Sequence, residues 1–171
     1  METELSTEIR PGTYTIDPAR SACRLTATHV FGLKPVEATV AVRGGTVTVA
    51  ADPARSTASA ELDAASFRSD DPRRDKDIRG RRFLDTANHP VIAFRSTGWK
   101  RGATGWQLTG VLSVRGRDSE VCLDVDRADS TPDGPHFVAR TTIDRVAAGV
   151  ATGRAVIARP IRIELDIRTT P

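Results

Sequence analysis

The segment IARPIRIELDIR, residues 157–168, alternates between two chemistries. Ile157, Ile161, Ile163, Leu165 and Ile167 share one parity, and Ala158, Pro160, Arg162, Glu164, Asp166 and Arg168 the other, with Arg159 the exception on the aliphatic side. Successive side chains of a β-strand point to opposite faces, so a strand here is apolar on one side and charged on the other. One side must be buried.

The same period of two runs through most of the chain. Cys23, Leu25, Ala27, His29 and Phe31 oppose Arg24, Thr26 and Thr28. Further inward sets are Val36, Ala38, Val40 and Val42; Val47 and Val49; Ala58, Ala60 and Leu62; Ile92 and Phe94. The pattern continues with Trp106, Leu108, Leu112 and Val114, then Val121, Leu123 and Val125, then Phe137, Ala139 and Ile143. Short turn-forming stretches separate these runs (RGG at 43–45, ADPARS at 51–56, KRGATG at 100–105, VRGRD at 114–118, TPDGP at 131–135), which predicts antiparallel hairpins. SDDPRRDKDIRG, residues 69–80, breaks the period. Asp71 reads as an N-cap, Pro72 as a first helical residue and Gly80 as a stop, predicting a short solvated helix over about 71–80. Arg73 with Asp77, and Asp75 with Arg79, are spaced for i,i+4 pairs.

A chain of 171 residues with no Pro/Gly/Ser-rich linker is expected to be one domain, residues 12–168, with tails at 1–11 and 169–171. METELSTEIRPG has early acids and no apolar run, so neither a signal peptide nor a membrane span is expected and the location expected is cytoplasmic. Cys23 and Cys122 lie at opposite parities of their strands and read as unpaired thiols. The net charge of +3, carried by arginines with only three lysines, says little about partners.

Eight to ten half-buried antiparallel strands satisfy either a barrel or a sandwich, and parity does not choose between them. Many inward positions are alanine and aromatics make up only 5% of the chain. A barrel of about eight strands so lined could keep a cavity for an elongated apolar guest, while a tightly interleaved sandwich tolerates the same residues.

Four stretches taken together, YTIDPARSACRLTATHVFGL (14–33), RDKDIRGRRFLDTANHPVIAFRST (74–97), LTGVLSVRGRDSEVCLDV (108–125) and IDRVAAGV (143–150), resemble the YceI-like family of lipid-binding barrels. The resemblance runs from Gly12 to Arg168 with the segments in order. It implies an all-β fold, an extended eight-stranded antiparallel lipocalin-like barrel with one short helix, whose lumen holds a polyisoprenoid or related long-chain amphiphile. The family positions fall on Ile16, Asp17, Ser21, His29, Arg74, Asp75, Phe83, Asp85, Pro90, Phe94 and Ser96. Gly110, Leu112, Gly116, Ile143, Asp144, Arg145 and Gly149 continue the match. The chain departs from the pattern in VEATVAV where a Gly and an aromatic are usual and in Ala148 where an aromatic is usual, and the leader that many relatives carry is not expected at METELSTEIRPG.

The reading that follows is non-catalytic binding, storage or transport of a long-chain apolar ligand, an isoprenoid quinone or polyprenyl phosphate. Each five-carbon isoprene unit contributes about 4 kcal/mol gross at roughly 0.8 kcal/mol per buried methylene, so shape alone can hold such a chain. The expected lining is Leu25, Ala27, Phe31, Ala60, Leu62, Phe94, Trp106, Leu108, Leu112, Leu123, Phe137, Ile143, Ile161, Ile163 and Leu165, with His29 as the polar contact. Taken alone, His29 reads first as a satisfied core histidine. His89 and His136 are expected in loops, and no HxH, HExxH or CxxC spacing suggests a metal. Arg73, Arg74, Lys76, Arg79, Arg81 and Arg82 suit a phosphate head, but Asp70, Asp71, Asp75 and Asp77 nearly cancel them and favour a solvated face. Trp99, at a strand end, reads as a rim residue.

No GxSxG, Cys/His pairing or Gly-rich phosphate loop occurs, so no enzyme and no cofactor are expected beyond the bound lipid. A filled barrel acting as a structural or interaction protein is an open alternative. A weakly basic nucleic-acid module has less support: acids nearly match bases and no exposed aromatic run offers a stacking platform, so neither nucleic acid nor stable membrane insertion is expected. The fold admits a homodimer that covers an edge or a mouth, with no interface fixed by the sequence.

Overall fold

The computed structural model describes residues 9–29, 35–103, 105–148, 150 and 157–171, with residues 28, 29 and 157–159 by backbone alone. The alternating segments become nine strands: β1 (Gly12–Thr15), β2 (Ala22–His29), β3 (Val36–Val49), β4 (Thr57–Arg68), β5 (Val91–Gly102), β6 (Gly105–Val114), β7 (Arg117–Asp129), β8 (His136–Asp144) and β9 (Ile157–Arg168). Among the described residues one α-helix, α1 (Pro72–Arg79), lies between β4 and β5. Every pairing is antiparallel, in the order β1-β3-β2-β9-β8-β7-β6-β5-β4, and β4 pairs back onto β3. That last pairing closes the wall.

The barrel has eight strands because β1 and β2 share one edge of β3. β2 pairs with its first half, Ala27 opposite Val36, and β1 with its second, Gly12 opposite Val49. The break between them is a 3-10 turn at Pro18–Arg20. The pentapeptide DPARS occurs twice, at 17–21 and 52–56, and folds the same way both times. In each copy the Asp side chain accepts from the Ala backbone N–H and proline sits at the first turn position, where its missing donor costs nothing.

Helix α1 matches its sequence signals. Asp71 accepts from the backbone of Arg73 and Arg74, and Gly80 ends the helix. Its expected ion pairs are replaced by others: Arg74 reaches back to Asp70 at 3.2 Å and to Asp71 at 3.9 Å. Asp75, expected on a solvated face, is buried and accepts from both the backbone N–H and the hydroxyl of Ser69, while Arg79 Nε donates to its carbonyl. A buried carboxylate needs such donors, and Ser69 supplies them just before the cap.

Three other expectations change. His136 starts β8 instead of lying in a loop, and it is buried with Nε2 2.8 Å from Asp166 Oδ1. Thr169, assigned to a tail, is fully buried; its hydroxyl donates to the Pro135 carbonyl at 2.7 Å. Ile9, on the N-terminal side of the expected boundary, is also buried. Cys23 is buried and Cys122 exposed, both free, as the strand parities require.

Candidate functional site

The inward faces enclose a cavity of about 320 Å³, which falls within the usual range for ligand sites, about 300–1,000 Å³. Parity places most of the predicted lining on it. β2 contributes Leu25 and Ala27; β4 contributes Ala60 and Leu62; β5 contributes Phe94; β6 contributes Leu108 and Leu112. Leu123 of β7, Phe137 and Ile143 of β8, and Ile161, Ile163 and Leu165 of β9 complete the circuit. The alanines leave space that larger aliphatics would fill.

Three predicted positions stand apart. His29 lies at the end of β2, its backbone opposite Ile157, and its side chain is outside the described residues. Phe31 is outside them altogether. Trp106 is not among the lining residues; it stacks on Trp99, ring centroids 5.4 Å apart and planes 17° from parallel. Trp99 itself, expected at a rim, lines the cavity.

Bulges explain much of what parity missed. Registers shift between Val42 and Gly44, between Ser96 and Gly98, and between Val125 and Arg127. Each shift moves the inward set from one parity to the other, from Phe94 to Trp99 in β5 and from Val125 to Ala128 in β7. In β4 the change from Leu62 to Phe67 accompanies an irregular pairing with β3 between Ala41 and Thr39. The helix side adds Ile78, Phe83 and Leu84, apolar residues within a charged stretch, of which only Phe83 was also a position implied by the resemblance.

Among the described residues the polar side chains on the lining are few: Ser56, Thr57, Ser59, Arg74, Thr141 and Arg145. Arg145 is buried and donates to the Val150 carbonyl at 2.7 Å. Among the described residues no cluster of three or more His, Cys, Asp or Glu could hold a metal, and no helix is long and apolar enough to cross a membrane. Burial pushes the Cys23 thiol up to about 12, so on this lining it behaves as a small hydrophobe. The arrangement suits enclosure of an apolar molecule by shape.

Several positions implied by the resemblance hold the scaffold. Asp17 caps the first 3-10 turn, and hydrogen bonding to Arg20 holds its carboxyl below the usual range. Ser21 Oγ donates to the Arg168 carbonyl at 3.2 Å and accepts from its N–H at 3.0 Å, tying β2 to the end of β9. Asp85 is buried at a positive φ of 48° and accepts from Asn88.

The model of the YceI-like domain family matches residues 14–169. A protein of Azotobacter vinelandii described as a UPF0312 protein is 43% identical over 75 residues, 43% of this chain and 39% of that one. The chain therefore spans well under half the length of that curated relative. Burkholderia cenocepacia BcnA superposes with a TM-score of 0.72 at 22% identity, covering 89% of this chain and 98% of BcnA. A polyisoprenoid binding domain from Saccharophagus degradans superposes with a TM-score of 0.66 at 12% identity, covering 92% and 98%. These two likenesses are of fold.

Proposed function

Because the chain belongs to the YceI-like family, we propose that its lumen binds a long-chain apolar molecule, an isoprenoid quinone or polyprenyl phosphate, without covalent chemistry, for storage or transport. The observation that carries this reading is a cavity of about 320 Å³ walled by aliphatic side chains from β2 through β9. A core filled by its own side chains would leave no such space. The printed description of the S. degradans domain as polyisoprenoid-binding supports the same class of guest. Affinity would come from apolar area buried along the chain, and length selection from where the lumen ends.

Organic extraction of the purified protein followed by mass spectrometry is the direct test, and a long-chain isoprenoid in the extract is expected. Both of the chain's tryptophans are at hand as reporters, since Trp99 lines the lumen and Trp106 stacks on it. Titration with a quinone bearing an isoprenoid tail should quench their emission saturably, and the tail-less head group should not. An extract without lipid, together with no saturable quenching, would overturn the proposal.

A further inference from the structure

The lumen reaches the helix side of the barrel through Ile78, Phe83 and Leu84, and the same segment is unevenly charged. Residues 70–82 carry six basic side chains against four acids, a near balance in sequence. Folding changes it. Asp75 is buried against Ser69, Asp71 faces the amides of Arg73 and Arg74, and Asp70 and Asp71 share the Arg74 guanidinium. Arg73, Lys76, Arg81 and Arg82 remain exposed and outnumber the exposed acids of the segment, Asp77 and the Arg74-paired Asp70. The β6–β7 hairpin packs here too, Arg115 donating to the Phe83 carbonyl at 2.7 Å, and it presents the exposed Arg117 with the exposed Asp118 beside it.

We propose that this cationic collar docks on the anionic surface of a lipid bilayer and sets the helix end of the lumen against the source of its guest. The inference rests on the lumen reading. Each methylene that crosses open water costs about a factor of four in equilibrium, so a long tail changes hosts readily only where the hosts touch. A basic patch beside the apolar helix end of the lumen fits that contact, because charge supplies attraction and orientation while the half-buried Phe83 and Leu84 adjoin the hydrocarbon. Nucleic acid fits less well, since the patch offers no aromatic platform for bases.

Co-sedimentation with vesicles tests it. The protein should bind phosphatidylglycerol/phosphatidylcholine vesicles, bind phosphatidylcholine alone far more weakly, and lose binding as salt rises. Each basic residue near such a surface is worth roughly a fivefold change, so a variant combining Arg73→Gln, Lys76→Gln, Arg81→Gln and Arg82→Gln should bind on the order of hundreds of times more weakly. Lys100→Gln, at the far end of β5, should bind as wild type. All four collar side chains are exposed, and Arg81→Gln/Arg82→Gln alone, expected to lose on the order of 25-fold, serves if the fourfold variant does not fold. Wild-type affinity in these variants, equal binding to neutral vesicles, or salt-sensitive binding to duplex DNA with none to vesicles would overturn the proposal. Guest loading from detergent solution is measured alongside. Loading that survives in a variant that no longer docks supports the proposal, whereas docking by a protein that loads nothing supports it while overturning the carrier reading.

Discussion

Asp75 shows how one residue can reverse the reading of its neighbourhood. Burial alone would raise its carboxyl, but the bonds from Ser69 and the charges of Arg79 and Arg74 outweigh that and hold it below the ordinary carboxylate value. A depressed folded value contributes stability that is fully present above the unfolded value, roughly pH 4, and is lost as pH falls through the folded one. Asp75→Asn should therefore be less stable at neutral pH and lose less on acidification than wild type. Asp75→Ala should cost on the order of 2 kcal/mol in urea unfolding at neutral pH, because the Ser69 donors are stranded. An unchanged urea midpoint would show that the bond contributes nothing. The two thiols make a second residue-scale case. With Cys23 raised to about 12, roughly one thiol in ten thousand is ionised at about pH 8, whereas Cys122 is exposed. A polar disulfide reagent should titrate one thiol in the native protein and two in urea.

At the scale of the element, strand faces were legible and strand irregularities were not. The run from Val36 to Val42 and the pair Val47 and Val49 have opposite parities in the sequence, which shows that something intervenes. What intervenes is a bulge, and a bulge is defined by the partner strand, so one strand read alone does not reveal it. The same reason hid Phe67 and Trp99, while Leu25, Ala60 and Ile163, on regular stretches, were placed correctly by parity alone. Turn chemistry was readable in part: Asp71, Pro72 and Gly80 bound the helix where their cap preferences say they should, whereas RGG at 43–45, expected as a hairpin turn, runs on inside β3 and forms its bulge. At the β3 bulge Gly45 has a φ of 145°, and a Cβ there would stand 2.1 Å from the Ser59 carbonyl oxygen. Gly44 has a similar φ of 154° but nothing within 4 Å. Gly45→Ala should thus lower stability by at least about 2 kcal/mol, and by clearly more than Gly44→Ala, the difference isolating the clash from the backbone strain. Equal thermal melting of the two variants would refute the assignment.

The whole molecule is a wall around a space, so the most informative substitutions change the space and leave the wall. Ala60 faces the lumen from β4, opposite Phe94 across the β4–β5 pairing. Ala60→Trp should reduce the lipid carried through native mass spectrometry while the circular dichroism spectrum stays that of a β-barrel. Undiminished lipid on that variant would remove Ala60 from the site. The general shape of the site was readable because small inward residues recur on strand after strand. Its two ends were not, because Ile16, Ile78 and Phe83 come from segments that have no period of two.

The pairing of β2 with β9 sets an order of events during synthesis. Cys23 lies opposite Leu165, so the first long strand waits for the last described one before its second edge is satisfied. Such distant partners make assembly slow and require β9 to have been made before any enclosed chamber exists. Until then the aliphatic ribbons stand open to water, the state in which such chains aggregate.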